Sequence, residues 1–147
     1  MSTWAHVVAT FRVDGFRPLG DEVPDWDDIL GQETYEPTDH DIFGEEWRRY
    51  RDSVMDAEEH PDMYMPFGSE GSLHKVVWTN PDESYMAAYT VTAFGDLRDY
   101  DDIAAIREWF AKVCERCLIR QAVCDVVVDG WSELRHETWN HADVTEK

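Results

Sequence analysis

Ala5, Val7, Ala9, Phe11 and Val13 fall on one side of an extended chain over residues 4–13, with His6, Thr10 and Arg12 on the other. This period of two predicts a half-buried strand, and such a strand needs partner strands and a helical layer over its apolar side. Asp14-Gly15 then ends it. Two further strand-like runs, 73–79 and 85–94, are separated by Asn80-Pro81-Asp82-Glu83 and read as a hairpin that stops at Gly95. Ile103, Ile106, Phe110, Val113, Cys114 and Cys117 then form one stripe of a helix starting at Asp99 or Tyr100, with Asp101 and Asp102 at the positive end of its dipole. A last strand over 120–128 turns Ala122, Cys124, Val126 and Val128 inward and stops at Gly130.

Between the first strand and the hairpin, Phe43, Trp47, Tyr50, Val54 and Ala57 recur at spacings of four and three. That spacing predicts an amphipathic helix over 41–59, with Asp41 as N-cap and His60 as the stop before Pro61. Glu45 with Arg49 and Arg48 with Asp52 stabilise it by only about 0.2–0.5 kcal/mol each. The order strand, helix, strand, strand, helix, strand predicts an α+β, ferredoxin-like split βαβ fold with four antiparallel strands and two helices on one face. The 147 residues suit one domain. Residues 18–40 read as an acidic excursion with a helical turn over 25–30 closed by Gly31, and residues 131–147, with Trp131 and Trp139, as a polar tail.

Charge sets the functional expectation. Residues 21–60 hold fifteen carboxylates against three arginines, −12 of the net −19, while 1–20 sum to +1 and 61–100 and 101–147 to −4 each. Seven Trp, six Tyr and six Phe exclude a disordered acidic chain, and the clustering favours a local purpose over an evenly salt-adapted surface. A field this negative repels nucleic acid, phosphorylated small molecules and anionic lipid, and attracts basic protein grooves. No run approaches a membrane span, and the opening MSTWAHVV lacks the basic flank and cleavage pattern of a signal peptide. Cytoplasmic residence is expected, with Cys114, Cys117 and Cys124 reduced.

No catalytic constellation stands out, and the expectation is not an enzyme, with no cofactor and no metal. Cys114, Cys117 and Cys124 fall on core-facing positions, which favours packing over zinc. His136 and His141 are five apart, so their imidazoles would diverge around a helix. The strings at 25–28 and 99–102 lack the central glycine and closing glutamate of a calcium loop. Gly68-Ser69-Glu70-Gly71-Ser72 reads as a tight turn or an interaction loop, with Met63, Tyr64, Met65 and Phe67 as adaptable apolar contacts. RNA recognition on the sheet would have Tyr85 and Tyr89 available, but acidic flanks oppose it.

Residues 65–73 (MPFGSEGSL) and 94–103 (FGDLRDYDDI), with Trp4-Ala5-His6-Val7 and Ile119-Arg120, resemble a group of small phage and prophage proteins of unassigned function. The likeness covers most of 4–128 except the acidic segment, since 21–60 depart from the group. It implies a mobile-element source and favours occupation of a nucleic-acid-binding site on a host defence protein.

The resulting expectation is an acidic nucleic-acid mimic of the anti-CRISPR or anti-restriction type that docks on a basic groove of a host protein without binding nucleic acid or membrane. Its expected charge contacts are Asp25, Asp27, Asp28, Glu45, Glu46, Asp56, Glu58 and Glu59, with Trp26 and Tyr35 as apolar anchors. An alternative is capture of a small signalling molecule or another host protein through a secondary loop of Phe67, Ser69, Glu70 and Arg98. Metal-assisted hydrolysis by clustered carboxylates, a structural role and a partnerless salt-adapted domain complete the range.

Overall fold

A computed structural model of the protein describes residues 3–16, 25–35, 37, 41–69, 71–79, 86–99, 103–115, 119–129 and 135–140. Strand β1 (Trp4–Phe16) lies at the centre of one antiparallel sheet with β2 (His74–Thr79), β3 (Met86–Arg98), β4 (Ile119–Val128) and β5 (Arg135–Asn140), in the order β2-β3-β1-β4-β5. Three helices, α1 (Trp26–Leu30), α2 (Glu45–Glu59) and α3 (Ile103–Glu115), complete an α+β fold.

The alternation expected of β1 holds: Ala5, Val7, Ala9, Phe11 and Val13 are all buried. They share a core with Val91, Ala93 and Leu97 of β3, with Ala122, Cys124, Val126 and Val128 of β4, and with Ile103, Ile106, Phe110, Val113 and Cys114 of α3. Phe11 meets Phe110 at 5.5 Å between ring centroids and Trp109 edge-on at 5.8 Å, so the helix stripe read from the sequence is the face that covers the sheet. Burial pushes the Cys114 and Cys124 thiols up to about 12, which suits core packing and leaves neither as a thiolate near neutral pH. Cys117 lies outside the described residues, as do the turn 80–83, Tyr85, 100–102, Gly130, Trp131 and His141.

Four expectations need correction. The sheet has five strands, not four, because 135–140 pairs with β4 from Gln121↔Asn140 to Val126↔Arg135 instead of trailing as a tail. RHETWN has no apolar alternation, and backbone pairing along an edge does not require one. Neither expected glycine stop ends its strand: Asp14 and Gly15 pair with Ala88 and Ala87 inside β1, which runs on to Phe16, and Gly95 pairs with Val7 inside β3. A side chain there would bring Cβ to 2.4 Å from the Ser72 carbonyl oxygen, so glycine serves a close crossing of the 71–73 segment.

The third correction concerns α2. It begins at Glu45 with Gly44 as N-cap, while Asp41 accepts a hydrogen bond from Phe43 N–H. Its apolar stripe does not pack on the sheet: Phe43 is 79% exposed, Trp47, Tyr50 and Val54 are half-buried, and only Ala57 is buried. Fourth, the supposed excursion reaches the core. α1 forms where expected, capped by Asp25 and closed by Gly31, and Leu30 joins the apolar core. Gln32 bridges Tyr64 in parallel, and Thr34 is buried with its N–H donating to Ser72 Oγ.

Candidate functional site

The carboxylates of residues 25–62 form two groups. On α1, Asp25 caps the helix by accepting from Asp27 N–H and Asp28 N–H, Asp27 pairs with Lys75 Nζ at 2.5 Å, and Asp28 is exposed. Trp26 packs edge-on against Tyr89 at 5.3 Å and on the core, so it anchors α1 to β3 and is only half-buried. Tyr89 therefore lies on the helix side of the sheet, packed against Trp26.

On α2, Glu45, Asp52, Asp56 and Glu59 are all exposed and follow one another at intervals of seven, four and three. These intervals put them within one stripe that runs about 21 Å along the helix. Two of the three arginines of α2 are turned to other work: Arg49 lies 4.2 Å over the Tyr35 ring, and Arg51 donates to the Trp47 and Ile42 carbonyls. Tyr35 is thereby an internal tether, since its hydroxyl donates to Glu46 and its N–H to Ser53 Oγ. Glu46 is half-buried beside it, whereas Glu58 is exposed.

A cleft that sequence reasoning missed lies between α1, the segment that follows α2, and α3. Asp28, Leu30 and Gly31 line one wall of this space of about 430 Å³, Asp62 and Tyr64 another, and Trp109, Lys112 and Glu115 of α3 the third. A 3-10 turn over Pro61–Met63 positions Asp62, and Tyr64 after it donates its hydroxyl to Asp56 at 2.5 Å. The bond to Asp56, with some burial, pushes the Tyr64 pKa up to about 12. The Trp109 indole N–H donates to the Leu30 carbonyl at 2.7 Å and fixes α1 against α3. Asp62 lies just past the acidic segment read over 21–60 and was not singled out; Trp109, Lys112 and Glu115 come from a different element and carried no local signal.

No Lys or Arg occurs between Arg51 and Lys75, and the last turn of α2 has no basic residue. Asp56, Glu58 and Glu59 therefore crowd the negative end of the helix dipole, where a carboxylate costs about 0.3–1 kcal/mol instead of stabilising. Ligand atoms of Asp56, Glu59 and His60 lie within 4.8 Å of one another, a spacing that could hold a divalent cation. All three are exposed, and Asp56 is already engaged by Tyr64.

The secondary loop is bound up with the fold. Ser69 Oγ donates to Asp99 Oδ2 at 2.8 Å, Ser69 N–H to the Arg98 carbonyl, and Arg98 Nε lies 3.9 Å from Asp99. Phe67 is half-buried and bridges Ser72, and Glu70 lies outside the described residues. No described helix is long and apolar enough to cross a membrane. The chain matches no protein-family model, no curated protein and no solved structure.

Proposed function

We propose that this chain is a phage-type, non-enzymatic inhibitor that occupies the basic nucleic-acid-binding groove of a host defence protein. The observation that carries the reading is the acidic surface around the end of α2, where Asp56, Glu58, Glu59 and Asp62 stand without a neighbouring lysine or arginine in the sequence. Folding stability disfavours carboxylates at that end of a helix, which points to selection for what they contact.

Charge density decides how much surface the reading needs. The α2 stripe spans about 21 Å, the length of about six base-pair steps, but offers four carboxylates where duplex DNA offers about twelve phosphates. The helix alone is too sparse a mimic. Adding Asp28, Asp62 and Glu115 around the cleft, three carboxylates against the single Lys112 of its wall, raises the local negative charge and makes a docking surface of α1, the end of α2 and the rim of α3. We read the scaffold as a ferredoxin-like split βαβ, supported by the order β2-β3-β1-β4, with β5 added at one edge.

The test is inhibition of a panel of CRISPR effectors and restriction nucleases cleaving duplex DNA, with and without the combined reversal Asp28→Lys, Asp56→Lys, Glu59→Lys and Asp62→Lys. At least one enzyme should be inhibited, with potency falling as salt rises and dropping at least about tenfold on reversal. Inhibition indifferent to the four reversals sinks the charge-mimic reading.

A further inference from the structure

The sheet face away from the helices carries an exposed apolar band among its polar residues, where a solvated face is ordinarily polar throughout. Val76 and Trp78 of β2, Phe94 of β3, Val8 of β1 and Val127 of β4 are all exposed on it, Val8 to 51% and Trp78 to 59%. Register connects them: Val76 lies opposite Thr92, Phe94 between His74 and Val8, and Val127 opposite His6. Among the described residues no helix covers this band, since the buried residues of α1 and α3 join the core on the other side.

We propose that a second copy of this chain stacks on this face, sheet against sheet, about a twofold axis. Charge favours that occupant. Two bodies of net charge −19 repel at most contacts, but here Asp96 and Asp129 are held by His6, and Asp125 by His136. The face also carries Arg12. These three carboxylates are thus engaged by imidazoles within the same copy, which leaves a basic partner little to pair with.

Area agrees. Five strands at about 4.8 Å, overlapping for six to nine residues at about 3.3 Å, present roughly 500–700 Å² per copy before side-chain relief. Two such faces remove roughly 1,000–1,400 Å², which reaches the range of specific interfaces. Self-association and docking on a basic groove respond oppositely to salt: screening strengthens the first and weakens the second, so either can fail alone.

Sedimentation of the full chain from micromolar to near-millimolar concentration should give twice the 17.2 kDa monomer mass, with a larger dimer fraction at high salt. The double variant Val8→Lys, Phe94→Lys should raise the dimer dissociation constant at least about tenfold. Phe43→Lys with Met55→Lys, exposed apolar residues off this face, should leave it unchanged. If circular dichroism shows the double variant unfolded, Trp78→Ser on the edge strand β2 replaces it with the same expectation. A wild-type monomer throughout the range, with the face left to a different protein, overturns the proposal. So does a folded sheet variant that dimerises as wild type does.

Discussion

The Tyr64 hydroxyl donates to the Asp56 carboxylate over 2.5 Å, joining the last turn of α2 to the segment that lines the cleft. Because only Ala57 of α2 is buried, this bond and the Tyr35 tether carry much of the attachment of that helix. Asp56→Asn should bring the Tyr64 pKa down from about 12 toward 10, read as tyrosinate absorbance. Tyr64→Phe should speed amide exchange at the C-terminal end of α2 while the sheet amides stay protected. Equal loss of protection in both would mean that α2 unfolds only with the whole domain.

His6 faces Asp96 through Nδ1 at 2.6 Å and Asp129 through Nε2 at 2.9 Å, so the doubly protonated ring satisfies both carboxylates. Hydrogen bonds to Asp96 first and Asp129 second raise its pKa above 6.5, against a smaller opposing effect of burial. A folded pKa above the unfolded one means stabilisation that is complete below about pH 6.5 and lost as pH rises through the folded value. The Tm advantage of wild type over His6→Gln should therefore shrink from mildly acidic to alkaline buffer. A gap constant with pH would show that the imidazole charge contributes nothing.

Gly71, at φ +81°, and Gly95 let the loop before β2 cross the end of β3 at backbone contact. An added Cβ would stand 2.1 Å from the Asp96 carbonyl oxygen at Gly71 and 2.4 Å from that of Ser72 at Gly95. Each Gly→Ala substitution should cost about 1–3 kcal/mol in urea unfolding, with Gly71 the more severe because its positive φ would also strain an alanine. A loss below about 0.5 kcal/mol at both would mean the loop moves aside freely.

Trp109→Phe keeps the ring against Phe11 but removes the indole donor to the Leu30 carbonyl. It should cost about 1–3 kcal/mol and raise exchange at Ile29 and Gly31, whose N–H groups close α1. Inhibition of a sensitive nuclease should weaken as well, because α1, which carries Asp28 on the cleft wall, loses its tie to α3.

Much of the fold was legible where one element contained its own signal. The alternation of Ala5 to Val13 and the stripe from Ile103 to Cys114 each mark a buried face, and both were buried as expected. The stripe Phe43 to Ala57 had the same period, yet only Ala57 is buried, because periodicity reports that a helix has an apolar face and not that the sheet has room for it. β5 was illegible for the opposite reason, since an edge strand held by backbone pairing leaves no trace in side-chain pattern. Among the site residues, Asp56, Glu58 and Glu59 could be picked from charge, whereas Trp26 and Tyr35, chosen as anchors, turned out to hold the acidic segment to the body.

The amino-acid sequence by itself determined the central strand, the covering helix, the acidic character of residues 21–60 and the location of α1 and α2, because each depends on residues near one another along the chain. Tertiary structure alone decided that Asp28 and Glu115 share a cleft with Asp62, that His6 sits between Asp96 of β3 and Asp129 just beyond β4, and that one sheet face carries an apolar band that no described helix covers. Those arrangements bring together groups distant in sequence, and which of them meet depends on strand order and register, which no local pattern of side chains encodes.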